Sequence, residues 1–384
     1  MLEQAAPPVE IVEFQGEINT LHARRMPLGS LRSSKNVDLT DGGSVVARNG
    51  YALSKALTAA TWAYSTVDQQ LSALIDNGTL YRVNNDLTLT SLKSGVSTED
   101  TFQAEVGGDI YTNTGLIISL NEVNDLRIAT PAPPQVIATS GNLPAGTYQF
   151  LCTNSATDGR EGGVSDVVSV ELTDVGGFQV ITNGNAYMTQ VDGTAFFFVG
   201  AGTQIVEDFD FGYRLNDVQF NSFPMPENAQ RVGFFHSKLY CSVYDQQVGI
   251  TFVFYSKPFH YHLWDIEKDF FVISGEVRML LGHKDALMIG SDIEINAWDG
   301  ETLTLLANYG VPRGDPGTIT VAEVAEFWTL RGLCRAIPFE NVTQQKVSVA
   351  PGTYCAVAHI EQNGFNRFIA LTDVGGVSNN QLGY

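Results

Sequence analysis

From Arg231 to Gly300 the chain contains LYCSV, ITFVFYSKP, HYHLWD, DFFVISG, VRMLLGHKDALMIGSD and IEINAWDG in succession. Each piece is a short run of β-branched and aromatic residues closed by Gly, Asp, Asn or Pro. Such runs favour strands, and the closing residues favour turns. No helical period lies between them. A strand, a turn and another strand, repeated at this spacing, is the grammar of a four-stranded blade followed by the start of a second one. An all-β fold, a β-propeller of about five or six blades, is the expectation.

The same texture runs through 53–127. There LSALIDNGTLYRVNND turns at Asn77–Gly78, a strong hairpin signal between alternating runs. At TPAPPQV the texture changes, because Pro131, Pro133 and Pro134 cannot sit inside a central strand. Beyond them, Thr147 to Thr153 alternates as a strand, Thr157 to Gly163 is a polar turn, and Val164 to Leu172 returns. A further hairpin is expected around Asp192–Gly193. This is the pattern of a small sandwich of fibronectin type III kind. The expected organisation is an extended arm at 1–20, the first part of the propeller at 21–131, an inserted β-sandwich at 132–222, the second part of the propeller at 223–372, and a polar tail at 373–384. Within 21–131 a hairpin is expected to turn through Asp41, Gly42 and Gly43. Asn363–Gly364 marks one more turn near the end.

Composition narrows the function. The chain has 384 residues with 42 acidic against 22 basic side chains, a formal charge of −20. An acidic surface repels phosphates, so tight nucleic-acid binding is not expected. The acidity serves solubility, or provides a surface over which DNA slides without sticking. Four arginines, Arg24, Arg25, Arg32 and Arg48, are nevertheless concentrated near the N-terminus. They are ordinary surface charge, or they pair with acidic neighbours in the same fold or in a partner subunit. The cysteines Cys152, Cys241, Cys334 and Cys355 show no CxxC spacing and read as buried free thiols. The N-terminus lacks the basic and apolar regions of a signal peptide, and no apolar run is long enough to span a bilayer. The expectation is synthesis in a cytoplasm without a membrane anchor.

Chemistry-bearing motifs are sparse. His260 and His262 in FHYHLWD share a strand face and are able to share a metal, but Asp265 falls on the opposite face by parity. The alternative is packing at a blade edge. No nucleophile elbow, Walker A loop or dinucleotide fingerprint is present. Asp109 in GGDIYTNTG and Asp299 in NAWDG are expected to hydrogen-bond their own backbone in turns. Arg313, Gly314 and Asp315 spell RGD, and Pro312 and Pro316 on either side predict a loop. No catalytic residue, metal or cofactor is assigned.

Two stretches carry a resemblance. GEINT followed by PLGSLRSSKNVDLTDGGSVVARNGY is similar to the opening of propeller proteins in tailed bacteriophages, with Gly16, Asn19, Thr20, Leu31, Asn36, Asp41, Gly42, Arg48 and Gly50 at the matching points. FFHSKLYCSVYDQQVGITFVFYSKPFHYHLWD with the run to NAWDG is similar to a blade of such proteins, and the LPAGTYQF…DGREGGVS insert is typical of them. The resemblance implies a non-enzymatic tail hub or nozzle protein in the virion. Copies, commonly six, would form a homo-oligomeric ring that meets portal or head–tail adaptor proteins, anchors fibres or a needle, and passes viral double-stranded DNA without binding it specifically. A rival role is a carbohydrate-binding or receptor-recognising propeller at the tail tip, with or without glycan cleavage.

Overall fold

The computed structural model describes residues 16–18, 20–32, 37–39, 45–47, 55–210, 212–320, 323–343, 350–362, 365–374 and 382–383. The fold is all-β: the described residues form strands and two single-turn 3-10 segments, Ala23–Arg25 and Asp217–Gln219, with no α-helix. Among the described residues no helix is long and apolar enough to cross a membrane. The chain divides into two compact units, 57–273 and 1–56 with 274–384.

The 57–273 unit begins with two antiparallel meanders. Ala60–Ser65, Ser72–Asp76, Thr79–Val83 and Leu89–Ser94 pair in sequence order, as do Gln103–Val106, Asp109–Thr112, Leu116–Ile118 and Val123–Asp125. Two-residue turns set the registers. Asp76 faces Thr79 across Asn77 and Gly78, whose φ values are 49° and 70°. That is the left-handed pair a tight hairpin requires, and Asn and Gly adopt it most cheaply. Trp62, Leu71, Ile75 and Leu80 of the first meander share a core with Ile110 and Ile118 of the second.

A third meander follows more than a hundred residues later: Arg231–Phe235, Lys238–Asp245, Ile250–Lys257 and His260–Trp264, with Phe270–Ser274 also paired to Ile250–Lys257. Its Val232, Leu239, Cys241 and Trp264 pack with Ala104, Tyr111, Ile117 and Leu126 of the second meander. The two sheets are therefore neighbours in space despite the intervening chain.

That intervening chain forms two sheets of its own. Gln135–Leu143, Gly176–Ile181 and Gln204–Val206 make one. In the other, Gly146–Ser155 is central. It pairs with Glu161–Val164 and Val168–Leu172 on one edge and Asn185–Thr189 on the other, with Phe196–Ala201 beyond. Leu143, Tyr148, Phe150, Leu172, Phe178, Val180, Met188 and Val206 fill the space between the sheets. Phe178 meets Tyr148 and Phe150 edge-on, with ring centroids at 5.1 and 4.8 Å. Tyr148 is fully buried, and its hydroxyl is satisfied by donating to the Pro144 carbonyl at 2.8 Å.

The other unit holds the meanders Val277–Gly282, Leu287–Ser291, Ile295–Trp298, Leu303–Ala307 and Gly317–Ile319, Ala325–Thr329, Gly332–Arg335, Glu340–Asn341. A mixed sheet orders Arg313–Asp315, Tyr354–Gln362, Phe365–Thr372 and Leu382–Gly383. Central strands are sealed, as in Leu287–Ser291, whereas the outer Leu303–Ala307 strand is largely exposed.

Several expectations meet the structure here. The RGD loop is corrected: Arg313–Asp315 is a strand paired in parallel with Tyr354, Cys355 and Ala356. Arg313 Nη2 bonds Glu276 Oε2 at 3.1 Å, and a Cβ on Gly314 (φ 95°) would stand 2.0 Å from the Cys355 carbonyl oxygen. Flanking prolines forbid helix, but they leave a three-residue strand open. The expected turns at 41–43 and 363–364 lie outside the described residues, yet Leu39 faces Val45 and Gln362 faces Phe365. Residues 1–15 of the expected arm also lie outside, while Gly16–Glu17 pairs in parallel with Ser30–Leu31. Of the expected tail, 373–374 and 382–383 are described, and Leu382 pairs with Phe368.

Phe178 is fully buried between two aromatic neighbours. Phe178→Ala is expected to destabilise the sandwich by about 3–5 kcal/mol, measured by denaturant unfolding. A loss under about 1 kcal/mol would show that the core lies elsewhere.

Candidate functional site

The polar stretch DGREGGVS lies where the sandwich meets the meanders. Gly159 takes a φ of 85°, and the turn closes by the Ala156 N–H donating to the Arg160 carbonyl at 2.8 Å. Asp158 accepts from the Arg160 backbone N–H at 3.1 Å and from its Nε at 2.7 Å. Burial alone would raise the Asp158 carboxyl, but these Arg160 bonds outweigh it and hold it below its ordinary range. Arg160 Nη2 then reaches the Asp125 carbonyl at 2.9 Å, on the last strand of the second meander.

Glu161 follows and gathers five donors. Its carboxylate accepts from Tyr187 Oη at 2.7 Å, Tyr213 Oη at 3.0 Å, Gln219 Nε2 at 3.2 Å, Thr153 Oγ1 at 3.4 Å, and Asn185 Nδ2. A carboxylate offers about four lone-pair directions, so this one is saturated. Tyr187 is fully buried, and burial, with the Tyr213 and Glu161 hydroxyl and carboxylate beside it, drives its ionisation far upward. The cluster is therefore a charged anchor for neutral phenols rather than a proton relay.

The next two residues explain the double glycine. A Cβ on Gly162 would stand 2.8 Å from an Ile128 side-chain carbon, and one on Gly163 would stand 1.7 Å from the Ser222 carbonyl oxygen. Backbone excludes a side chain at Gly163, and one at Gly162 would have to displace Ile128. Ser165 then caps the neighbouring strand, accepting from the Cys152 N–H at 3.0 Å.

His262 completes this joint from the other side. Its Nε2 lies 2.9 Å from the Glu161 carbonyl oxygen, to which it donates as the Nε2–H tautomer. Burial, and next the Arg160 charge, lower its pKa to about 4. His260 sits with its ring 6.3 Å away and Nδ1 2.9 Å from the Pro258 carbonyl oxygen. Asp265 is buried and pairs with Lys257 at 3.6 Å. The two histidines thus do lie near each other, each against a backbone carbonyl. Among the described residues no group of three or more His, Cys, Asp or Glu is placed to hold a metal ion.

A second element of the joint has no counterpart in the sequence reading. Arg127, the residue from which the chain departs toward the insert, donates to Thr114 O (2.6 Å), Asn113 O (2.9 Å), Pro226 O (3.0 Å), Met225 O (3.1 Å) and Glu227 O (3.4 Å). Asn113 extends the clasp: Oδ1 accepts from the Phe102 N–H at 2.7 Å, and Nδ2 donates to Asp100 O, Ala229 O and Gln230 O. Arg231 lies over the Phe102 ring at 3.3 Å. The chain entering the insert and the chain leaving it are stitched together by one guanidinium and one amide. The signal available was a lone arginine in the apolar run LRI, after an NTG turn.

The remaining sequence candidates fall as follows. Arg24, Arg25 and Arg32 are exposed, and Arg48 lies outside the described residues. All four cysteines are free and buried, and burial pushes the Cys241 and Cys355 thiols up. Asp299 accepts from the Glu301 and Thr302 N–H groups at 2.8 and 2.7 Å, as expected of a turn residue. Asp109 instead opens a strand after the Gly107–Gly108 turn.

No family model matches the chain, and no curated protein matches it in sequence. Solved structures show partial similarity. Dipeptidyl peptidase 4 of Porphyromonas gingivalis is 8% identical over 86% of this chain and 46% of its own, with a TM-score of 0.28. PorZ, a surface component of the type-IX secretion system of the same organism, is 11% identical over 80% and 45%, with a TM-score of 0.23. The AfRom2 CNH domain is 10% identical over 77% and 91%, with a TM-score of 0.25. The chain spans less than half the length of the first two. At these scores the similarity carries no functional assignment.

Two outcomes are expected at the joint. Glu161→Gln puts an amide donor among five existing donors and is expected to cost about 1–3 kcal/mol in unfolding free energy; an unchanged unfolding midpoint would rule out the anchoring role. His262 has a folded pKa of about 4, below its ordinary 6.5. The unfolded chain therefore binds the proton first, and the stability contributed by neutral His262 is complete above pH 6.5 and lost as pH falls from 6.5 toward 4. The loss is roughly 3 kcal/mol at most. His262→Gln keeps a donor for the Glu161 carbonyl and is expected to flatten that part of the stability–pH curve, read by thermal melts between pH 4 and 7.

Proposed function

We propose that this chain is a structural protein of a bacteriophage tail, a hub or nozzle propeller that assembles into a ring around the DNA-ejection channel. The observation that carries the reading is the joint at DGREGGVS. There Glu161, Arg160 and His262 are spent on tying the sandwich together and to the meanders beside it. Five consecutive-strand meanders and a further mixed sheet among the described residues support a propeller of about six blades. The order of the inserted strands, with Gly146–Ser155 central in one sheet and Gly176–Ile181 central in the other, supports a sandwich of fibronectin type III kind.

The formal charge of −20 fits a wall past which a polyanion must move. Phosphates are repelled along such a surface, so viral DNA passes without being held. In this reading the ring meets portal or adaptor proteins on one side and fibre or needle proteins on the other. Its residence is the virion tail, after synthesis in the host cytoplasm.

Particles purified from cells that carry this gene are expected to contain the chain in several copies, by quantitative mass spectrometry. An antibody raised against it is expected to label the tail in electron micrographs. Purified particles lacking the chain would overturn the reading.

A further inference from the structure

Two exposed segments of this chain are opposite in charge and alike in apolar content. Residues 22–32 carry Arg24, Arg25 and Arg32 and no acid, a formal +3 in a chain poor in cations. All three arginines are exposed, on and beside the Ala23–Arg25 turn, which His22 caps. Leu21 and Leu28, 38% and 66% exposed, flank them.

Residues 207–217 are the counterpart, with four acids against one arginine, a formal −3. Glu207, Asp208, Asp210 and Asp217 are all exposed, and Arg214 is bound to Asp217 at 3.0 Å. Between the acids, Phe209 and Tyr213 present 40% and 57% of their surface. Both rings are fixed from behind. Phe209 lies against Tyr148 at 6.3 Å, and Tyr213 stacks on Phe198 at 5.0 Å and 12° while its hydroxyl donates to Glu161. An aromatic side chain held this firmly and still exposed loses little entropy when a partner covers it. Tyrosine rings also accept a guanidinium over their face.

We infer that the 207–217 strip of one copy receives the 22–32 segment of the next, with Arg24, Arg25 and Arg32 against the acids and Leu21 and Leu28 against Phe209 and Tyr213. The −3 strip finds its complement in the exposed +3 segment of the same sequence, so the occupant is a second copy, and a closed ring uses two different, complementary patches on every subunit. These segments supply that pair. The inference rests on the ring proposed above and specifies its contact.

Charge exchange tests it on the full chain. One variant, Glu207→Lys with Asp210→Lys, makes the strip basic. The other, Arg24→Glu with Arg25→Glu, makes the N-terminal segment acidic. Wild-type chain is expected to sediment as a ring at low salt and to dissociate as salt is raised. Each variant alone, with an unchanged thermal midpoint, is expected to need a concentration at least about tenfold higher to assemble. Mixing the two variants is expected to restore assembly, since the basic strip of one meets the acidic segment of the other, and their unaltered halves also match. A monomeric wild type, variants that assemble like wild type, or a mixture that stays dissociated would each overturn the inference. A contact within one copy would give the last of these outcomes. None of them bears on whether the chain is present in purified particles, so failure here and failure of the tail assignment are distinguishable.

Discussion

Five backbone carbonyls converge on one guanidinium. The sandwich interrupts two meanders that share a core, and the chain can complete that core only if it returns to the place it left. Arg127 sits at the exit and holds carbonyls from both the turn at Asn113 and Thr114 and the returning loop, Met225 to Glu227, ahead of the Arg231–Phe235 strand. Loop-closure entropy opposes bringing such ends together, although it grows only slowly with length. A charged, planar group with donors on both sides offsets that cost while satisfying the carbonyls gathered around it.

The insert is then oriented by a second, chemically different device. Glu161 is a buried-side charge surrounded by neutral donors, and its own carbonyl is the acceptor for His262. The side chain thus ties the sandwich together while the main chain of the same residue ties it to the neighbouring meander. Arg160 adds the Asp125 carbonyl on the opposite flank. Position and orientation are fixed by groups only a few residues apart, which makes the joint local in sequence and in space.

Much of the fold was legible because its signals are local. Asn77–Gly78 dictates a tight hairpin whatever surrounds it, and alternation in Gly146–Ser155 separates its two faces. The prolines at 131, 133 and 134 likewise mark the entry to the insert. The RGD strand was not legible, since its pairing with Tyr354 to Ala356 is set by a distant segment. The joint was half legible: DGREGGVS stood out as a polar turn, but nothing in its spacing says that five donors meet at Glu161. Arg127 and Asn113 were invisible for the same reason, because backbone carbonyls leave no residue-type signature. His260 and His262 were visible by parity as neighbours, whereas the carbonyl that claims His262 belongs to a residue a hundred positions away.

The absence of room at Gly162 and Gly163 has a consequence for how such a molecule can change. With backbone from Ser222 and the side chain of Ile128 pressed against them, these positions behave as a keyed socket. Exposed residues of the insert that touch neither these glycines nor Glu161, such as Glu207 and Asp210, stand outside the key. Any sequence that occupies this strand must bring small residues to positions 162 and 163. Change at such exposed positions is thereby separated from the fit at the socket.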